Sequence, residues 1–162
     1  MNVVTAHQQP RLDVARDLFV EYAAHIGIDL CLEGFEAELT ALPGAYAPPR
    51  GRLLLALDDN QPAGCVALRP AGDDACEMKR LFVRPALIGQ GVGRRLAETV
   101  IDAARTVGYQ RMRLHTLPSM TTAVALYRSL GFREVSPYYA NPIPGALFLE
   151  LDLRQAQTDG LD

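Results

Sequence analysis

Three glycines at alternate positions, Gly89, Gly91 and Gly93, connect a segment with strand character to a segment with helix character. The predicted strand Cys76–Val83 precedes them, and from Gly91 onward apolar residues recur with a helical period. Glycine lets the backbone adopt conformations that other residues avoid and approach a ligand closely. The first turn of a helix offers free N–H groups and the positive end of the helix dipole. The run therefore predicts a loop that binds an anion, such as a pyrophosphate, at the start of a helix.

Other phosphate-binding loops fit this glycine run less well. A P-loop ends in Gly-Lys-Ser or Gly-Lys-Thr, and neither is present. A dinucleotide-binding loop has the pattern Gly-x-Gly-x-x-Gly, but Arg94 or Leu96 occupies the position of the third glycine. A dinucleotide-binding loop also usually follows the first strand of its fold, whereas three strands of the predicted hairpin region precede this glycine run. A glycine-rich connection without function stays open as the alternative, although three glycines near a helix start carry an entropic cost.

Hydrophobic periodicity and turn residues predict an ordered series of strands and helices along the chain. The series is strand Asn2–Ala6, helices Arg11–Ile26 and Glu33–Leu42, strands Leu53–Leu57, Ala63–Arg69 and Cys76–Val83, helix Gly91–Val107, strand Arg111–Thr116, a helix capped by Ser119 or Thr121 and ended by Gly131, and strands Phe132–Val135 and Ala146–Leu153. Strand hairpins that alternate with single helices imply a mixed sheet covered by helices on both faces.

Length and composition are typical of one globular domain. The chain has 162 residues, of which 49% are hydrophobic and 22% are charged. We expect a single domain over residues 1–154 and a frayed polar tail over residues 155–162. The net charge is −3, no apolar run approaches the ~20 residues of a membrane-spanning helix, and Met1–Pro10 lacks the order of a signal peptide. These features predict a cytoplasmic protein that binds neither nucleic acid nor membrane.

The cysteines and histidines follow no pattern that predicts a disulfide or a metal site. They are Cys31, Cys65 and Cys76, and His7, His25 and His115. Three cysteines without a close pair argue against a disulfide framework and against a zinc site. We therefore expect no bound metal.

The distribution of charge along the chain is uneven. Basic residues dominate between Lys79 and Arg113, whereas acidic residues dominate the first sixty positions. The middle of the chain therefore suits an anionic ligand, and the front suits an acceptor with positive charge, unless both are only solvated faces.

The segment Met78–Phe132 resembles the core of the GNAT superfamily of acetyltransferases. That family carries Gln/Arg-x-x-Gly-x-Gly/Ala between a strand and a helix, and the run from Ile88 to Gly93 matches both of its glycines. Ile88 departs from the Gln or Arg of the first position, which removes a side chain but keeps the backbone donors. The strand Lys79–Pro85 is similar to the family's leucine-x-valine strand, which leads to a proline.

A second family pattern follows about thirty residues later. The segment Ala123–Phe132 is similar to the family's helix with an alanine, then a tyrosine, then Gly-Phe. Met120 stands where the family often has an asparagine, so one polar contact to the cofactor is expected to be missing. The resemblance implies a GNAT fold: an α/β (α+β) protein with a mixed, mostly antiparallel central sheet of six to seven strands, which splays between strands 4 and 5.

The resemblance implies acetyl-coenzyme A (acetyl-CoA) as cofactor, with its pantetheine arm in the split of the sheet. The residues implied to bind it are Leu81, Phe82, Val83, Ile88, Gly89, Gln90, Gly91, Val92, Gly93, Arg94, Met120, Ala123 and Tyr127. Tyr127 is also implied to act on the leaving sulfur, although its position on an apolar stripe equally suits a core aromatic residue.

The resemblance implies Glu77 as the general base, directly or through a water, and the alternative is an ordinary exposed carboxylate of the strand. Family geometry implies an acceptor site lined by Tyr22, His25, Tyr138, Tyr139 and Asn141. The expected activity is acetyl transfer to a primary amine of a small molecule or peptide. The alternative is a CoA-binding regulatory module without catalysis. A homodimer is one expected assembly, since dimers are frequent in the family.

Overall fold

The predicted series of strands and helices is present in the computed structural model, which describes residues 1–26, 34–138 and 144–154. The elements are β1 (Asn2–Thr5), α1 (Arg11–Ile26), α2 (Phe35–Ala41), β2 (Arg52–Asp58), β3 (Gln61–Pro70), β4 (Ala75–Val83), α3 (Val92–Val107), β5 (Arg111–Thr116), α4 (Thr121–Ser129), β6 (Arg133–Val135) and β7 (Leu147–Asp152). The predicted tail 155–162 lies outside the described residues.

The seven strands form one sheet in the order β1-β2-β3-β4-β5-β7-β6. The β4–β5 pair is parallel, and every other pair is antiparallel. The predicted mixed, mostly antiparallel sheet is thereby confirmed.

Helices cover both faces of this sheet, as predicted. The amphipathic helix α3 buries residues such as Leu96 and Val100 against one face, in a cluster that includes Tyr127 of α4. On the other face, α1 buries Leu18 and Phe19 in a second cluster. No helix of the described residues is long and apolar enough to cross a membrane.

The sheet opens between its two parallel strands. β4 and β5 pair at only three positions, from Ala75 opposite Arg111 to Glu77 opposite Arg113. Beyond that point β4 continues along β3 to Val83, while β5 continues along β7 to Thr116. The inner edges of β4 and β5 therefore part after Glu77, which confirms the expected split between strands 4 and 5.

A bulge interrupts β4 at Arg80. Arg80 has φ +61, and the register shifts so that Lys79 lies opposite Ala67 and Phe82 lies opposite Cys65. Ala67, Cys65 and Phe82 all belong to the cluster under α1. The bulge adds one residue between the pairs, so the consecutive side chains of Lys79 and Arg80 both lie on the face covered by α1 and α2.

The start of α4 differs from the prediction. Met120 is the N-cap residue, and no side chain caps the helix, so the capping role predicted for Ser119 or Thr121 is wrong. The N–H of Met120 donates to the carbonyl of Leu117, and the N–H of Val124 donates to the carbonyl of Met120. A backbone turn thus leads into the helix, and Thr121 is already its first residue.

Candidate active site

A cleft runs from the split of the sheet to the glycine loop, and it consists of two adjoining cavities. The outer cavity has a volume of about 550 Å³, and the inner cavity has about 60 Å³. Both are lined by Tyr22, Ile26, Leu81, Leu117 and Met120, so they lie directly beside each other. The outer volume is in the range of small-molecule and cofactor sites.

The glycine loop forms one wall of the outer cavity. Gly89 and Gly91 have φ values of +90 and +84, a region that disfavours residues with a side chain, and a Cβ on either would meet no atom within 4 Å. Gly91 is the N-cap of α3, and no side chain caps the helix there. The first-turn N–H groups of α3 are therefore available to a ligand, and the dipole of this 16-residue helix favours an anion.

Arg94 and Arg95, the two basic residues after the loop, lie on different sides of α3. Arg94 lines the outer cavity, whereas Arg95 lines a groove on the other side of α3. Of these two arginines, only Arg94 can add positive charge to the outer cavity. Gln90 does not line either cavity of the cleft.

The other residues predicted to bind the cofactor line the cleft. Leu81, Phe82, Val83, Ile88, Gly89, Gly91, Val92, Gly93, Arg94, Met120 and Ala123 line the outer cavity, and Tyr127 lines the inner one. Among the described strands, β4 has a partner on the β3 side only from Met78 onward. Its other edge can therefore pair with an extended ligand as a strand would.

Tyr127 lies at the inner end of the cleft. Its side chain is 7% exposed, and its ring packs edge-on against Phe132 with 5.8 Å between ring centroids. Burial raises the pKa of Tyr127 well above its ordinary value, with a smaller contribution from Tyr22. The hydroxyl is therefore protonated at neutral pH and can donate a hydrogen bond into the inner cavity.

Glu77 occupies the last paired position before the split and is held by several partners. Arg69 Nη2 lies 2.7 Å from Glu77 Oε1, the Tyr138 hydroxyl donates to Oε2 at 3.3 Å, and His115 Nδ1 lies 3.4 Å from Oε2. Burial alone would raise the pKa of Glu77, but the contact with His115 and the charges of Arg69 and Lys79 outweigh it and hold that pKa at about 2. A carboxylate with so low a pKa is a weak proton acceptor.

His115 and Lys79 line the inner cavity, and the sequence patterns pointed to a role for neither. Only the structure brings them to the site. For His115, the parallel pairing of β4 with β5 places the residue beside Glu77. The alternation of polar and apolar residues along β5 was the sequence signal that could have indicated His115. Arg111, Arg113 and His115 are half-buried, while the residues between them are buried. A histidine on the polar side of a strand that borders a split is a candidate for proton transfer.

The described acceptor candidates lie at different depths. Tyr22 lines both cavities, and His25 lines the outer one. Tyr138 lines neither cavity, but its hydroxyl contacts Glu77. Tyr139 and Asn141 lie outside the described residues.

Two carboxylates from the acidic first sixty residues form ion pairs with arginines in or directly after β4. Glu21 pairs with Arg84 at 2.6 Å, and Glu38 pairs with Arg80 at 2.9 Å. These carboxylates join α1 and α2 to β4 and do not form an unpaired acidic surface. These two carboxylates therefore do not support the expected cationic acceptor, which stays a prediction. No group of acidic, histidine or cysteine residues suited to a metal ion is present in the described part of the chain.

Comparison with known proteins gives a consistent result. Residues 17–132 match the acetyltransferase (GNAT) family. An uncharacterized N-acetyltransferase of Schizosaccharomyces pombe is 40% identical over 144 residues, which cover 88% of each chain. A GNAT-family acetyltransferase of Staphylococcus aureus superimposes with a TM-score of 0.78 at 18% identity, over 94% of this chain and 98% of that one.

A solved structure with a ligand also resembles this chain. The GNAT-family acetyltransferase of Elizabethkingia anophelis with acetyl-CoA bound has a TM-score of 0.58 and 27% identity, over 74% of this chain and 82% of that one.

Gly91→Asp tests the anion-binding role of the loop. The substitution adds a side chain and a negative charge at the N-terminus of α3, so we expect the affinity for CoA, measured by calorimetry, to fall by well over ~10-fold, or about 1.4 kcal/mol and more. Gly72→Asp is the matched control, because Gly72 lies in the β3–β4 turn, has φ +109, and would likewise place a Cβ with no atom within 4 Å. Equal affinities for the two variants would exclude the loop as the phosphate site.

Proposed function

The chain belongs to the GNAT family of N-acetyltransferases and uses acetyl-CoA, and we propose that it moves the acetyl group directly onto a primary amine of a small molecule or peptide. One observation carries this proposal. A single cleft joins an anion-binding helix start to a split strand edge and ends at Tyr127, His115 and Lys79. A long ligand with phosphates at one end and a reactive group at the other fits that arrangement.

The residues of the cleft are suited to hold the donor along its length. The N–H groups from Gly89 to Arg94 would bind its pyrophosphate, because the first turn of α3 has no side-chain cap. The open edge of β4 at Leu81 and Val83 would pair with the amides of its pantetheine arm. Acetyl-CoA supplies an acetyl group activated as a thioester. Its reactive end would then lie near the inner cavity.

Tyr127 is proposed to donate a proton to the departing sulfur. Its hydroxyl is protonated at neutral pH, because burial raises its pKa. A donor in a buried cavity stabilises developing negative charge more strongly than a donor in water. The residue also packs against Phe132, so its ring is fixed in place.

The amine must lose a proton, since free lysine-like amines have a pKa of ~10.4 and are charged at neutral pH. We infer that Glu77 contributes to this step through His115. Glu77 itself is a weak acceptor, but its carboxylate lies beside His115 Nδ1 and favours the tautomer with a proton on that nitrogen. The lone pair is then on Nε2, and the carboxylate stabilises the imidazolium that forms.

Incubation with acetyl-CoA and a panel of amines, while free thiol is followed, tests the function. We expect thiol release that depends on the amine. In Tyr127→Phe, kcat should fall by roughly 10- to 10³-fold with little change in CoA affinity, because only the hydroxyl is lost. Tyr109→Phe is the matched control, since the Tyr109 hydroxyl donates to the carbonyl of Arg50 and the residue lines neither cavity.

Two outcomes would contradict this account. CoA binding without turnover across the whole panel would favour a binding module. Wild-type turnover by Tyr127→Phe would reduce the tyrosine to a packing residue.

His115→Gln tests the proton acceptor. Glutamine keeps a polar side chain but cannot accept a proton, so kcat/KM should fall by roughly 10²-fold with CoA affinity retained. Raising the pH should restore part of the rate, because a larger fraction of the amine is then neutral. His7→Gln controls for loss of a histidine outside the cleft. An unchanged pH–rate profile in His115→Gln would rule out this role.

A further inference from the structure

Lys79 is the only lysine among the 16 basic residues of the chain, and the other 15 are arginines. It is 9% exposed and lines the inner cavity. Because Lys79 lies opposite Ala67 in the sheet, its side chain is on the face covered by α1 and α2. That is also the face of Glu77, two residues earlier on the same strand.

Each neighbouring cation on this face has a carboxylate partner. Arg80 forms a two-pronged pair with Glu38, with both N···O distances at 2.9 Å. Arg69 contacts Glu77 at 2.7 Å, and Arg113 contacts Glu150 at 2.9 Å. Lys79 forms no ion pair or side-chain hydrogen bond within residues 1–26, 34–138 and 144–154. This face of the sheet therefore carries four basic side chains, Arg69, Arg80, Arg113 and Lys79, but the three arginines already occupy its three paired carboxylates.

A buried ammonium without a counter-ion is unfavourable. Burial lowers the pKa of Lys79, and so do the charges of Arg80 and Arg69, while Glu77 and Glu38 oppose them. An anionic group that enters the inner cavity would raise the pKa of Lys79 again, because it would pair with an ammonium that has no ion-pair partner among the described residues. A cationic group there would instead meet an excess of positive charge.

We propose that Lys79 binds a carboxylate of the acceptor, so that the acceptor is a small amino acid-like molecule. The proposal rests on the proposed acetyl transfer to an amine. The inner cavity has a volume of about 60 Å³, and one water occupies ≈ 30 Å³ in the liquid. The cavity therefore has room for a group about as large as two waters, such as a carboxylate. His115 lines the same cavity, so the amine and the carboxylate of the acceptor must lie within a few bonds of each other.

Matched acceptors test this selectivity. L-Amino acids and their primary amides differ only in the carboxylate, and the amides have the less basic amine. Without a carboxylate site the amides should react faster, because more of their amine is neutral. We expect at least one amino acid to exceed its amide by about tenfold in kcat/KM, mainly through KM, as one charge-assisted hydrogen bond would give. A panel in which every amide equals or exceeds its amino acid would overturn the proposal.

Variants of Lys79 show whether this residue causes the preference. Lys79→Met keeps a long unbranched side chain without charge and should abolish the preference, so that the ratio of kcat/KM for an amino acid to that for its amide falls to one or below. Lys79→Arg keeps the charge and should retain part of the preference. Arg133→Met, on the exposed strand β6, is the control for charge removal elsewhere. A preference that survives Lys79→Met would assign the carboxylate to another residue.

A direct readout separates this proposal from the proposed function. Because Lys79 is the only lysine, lysine-selective ¹³C labelling gives a single Cε signal. Amino acids added in the presence of CoA should raise the titration midpoint of that signal, and their amides should not. An identical response to both, or no response, would contradict the proposal. Absence of acetyl transfer to every amine, with the carboxylate-specific response intact, would instead reject only the proposed function.

Discussion

The parting of β4 from β5 after Glu77 is the constraint on which the site depends. Each strand keeps its antiparallel neighbour, so the sheet remains intact while two inner edges are exposed inside the protein. Backbone N–H and C=O groups on such edges need partners, and a ligand that extends along β4 can supply them. The same parting creates the cavities between the helices α1, α3 and α4, and it brings Tyr127 and His115 to the end of one cleft.

Ion pairs between β4 and the first two helices hold the acceptor side of this cleft. Arg80 pairs with Glu38 of α2, and Arg84 pairs with Glu21 of α1. The bulge at Arg80 makes the first pair possible, because it turns two consecutive basic side chains to the same face. The Arg80–Glu38 pair is mostly buried, and removal of one partner from a buried pair is strongly unfavourable, so this contact fixes where α2 lies relative to β4. The more exposed Arg84–Glu21 pair contributes less to the position of α1.

Sequence patterns predicted the element order and the loop, because both depend on local periodicity and on glycine. The boundaries of α1 and β5 agree with the structure residue for residue. The bulge at Arg80 was not predictable, since no glycine or turn residue marks it. The partners of Glu77 were also hidden, because Arg69, His115 and Tyr138 come from three distant segments that only the sheet brings together. The pairing of Glu21 and Glu38 with arginines in or directly after β4 was hidden as well, because it joins segments that lie far apart in the sequence.

Hydrogen exchange of individual amides, measured by NMR with and without CoA, tests the central claim that the split edge of β4 and the start of α3 together hold the cofactor. The account predicts that CoA slows exchange between Leu81 and Val83 and in the first turn of α3, by about tenfold or more, and leaves the amides of β1 and β6 unchanged. Protection confined to other segments, or equal protection of all strands, would contradict it.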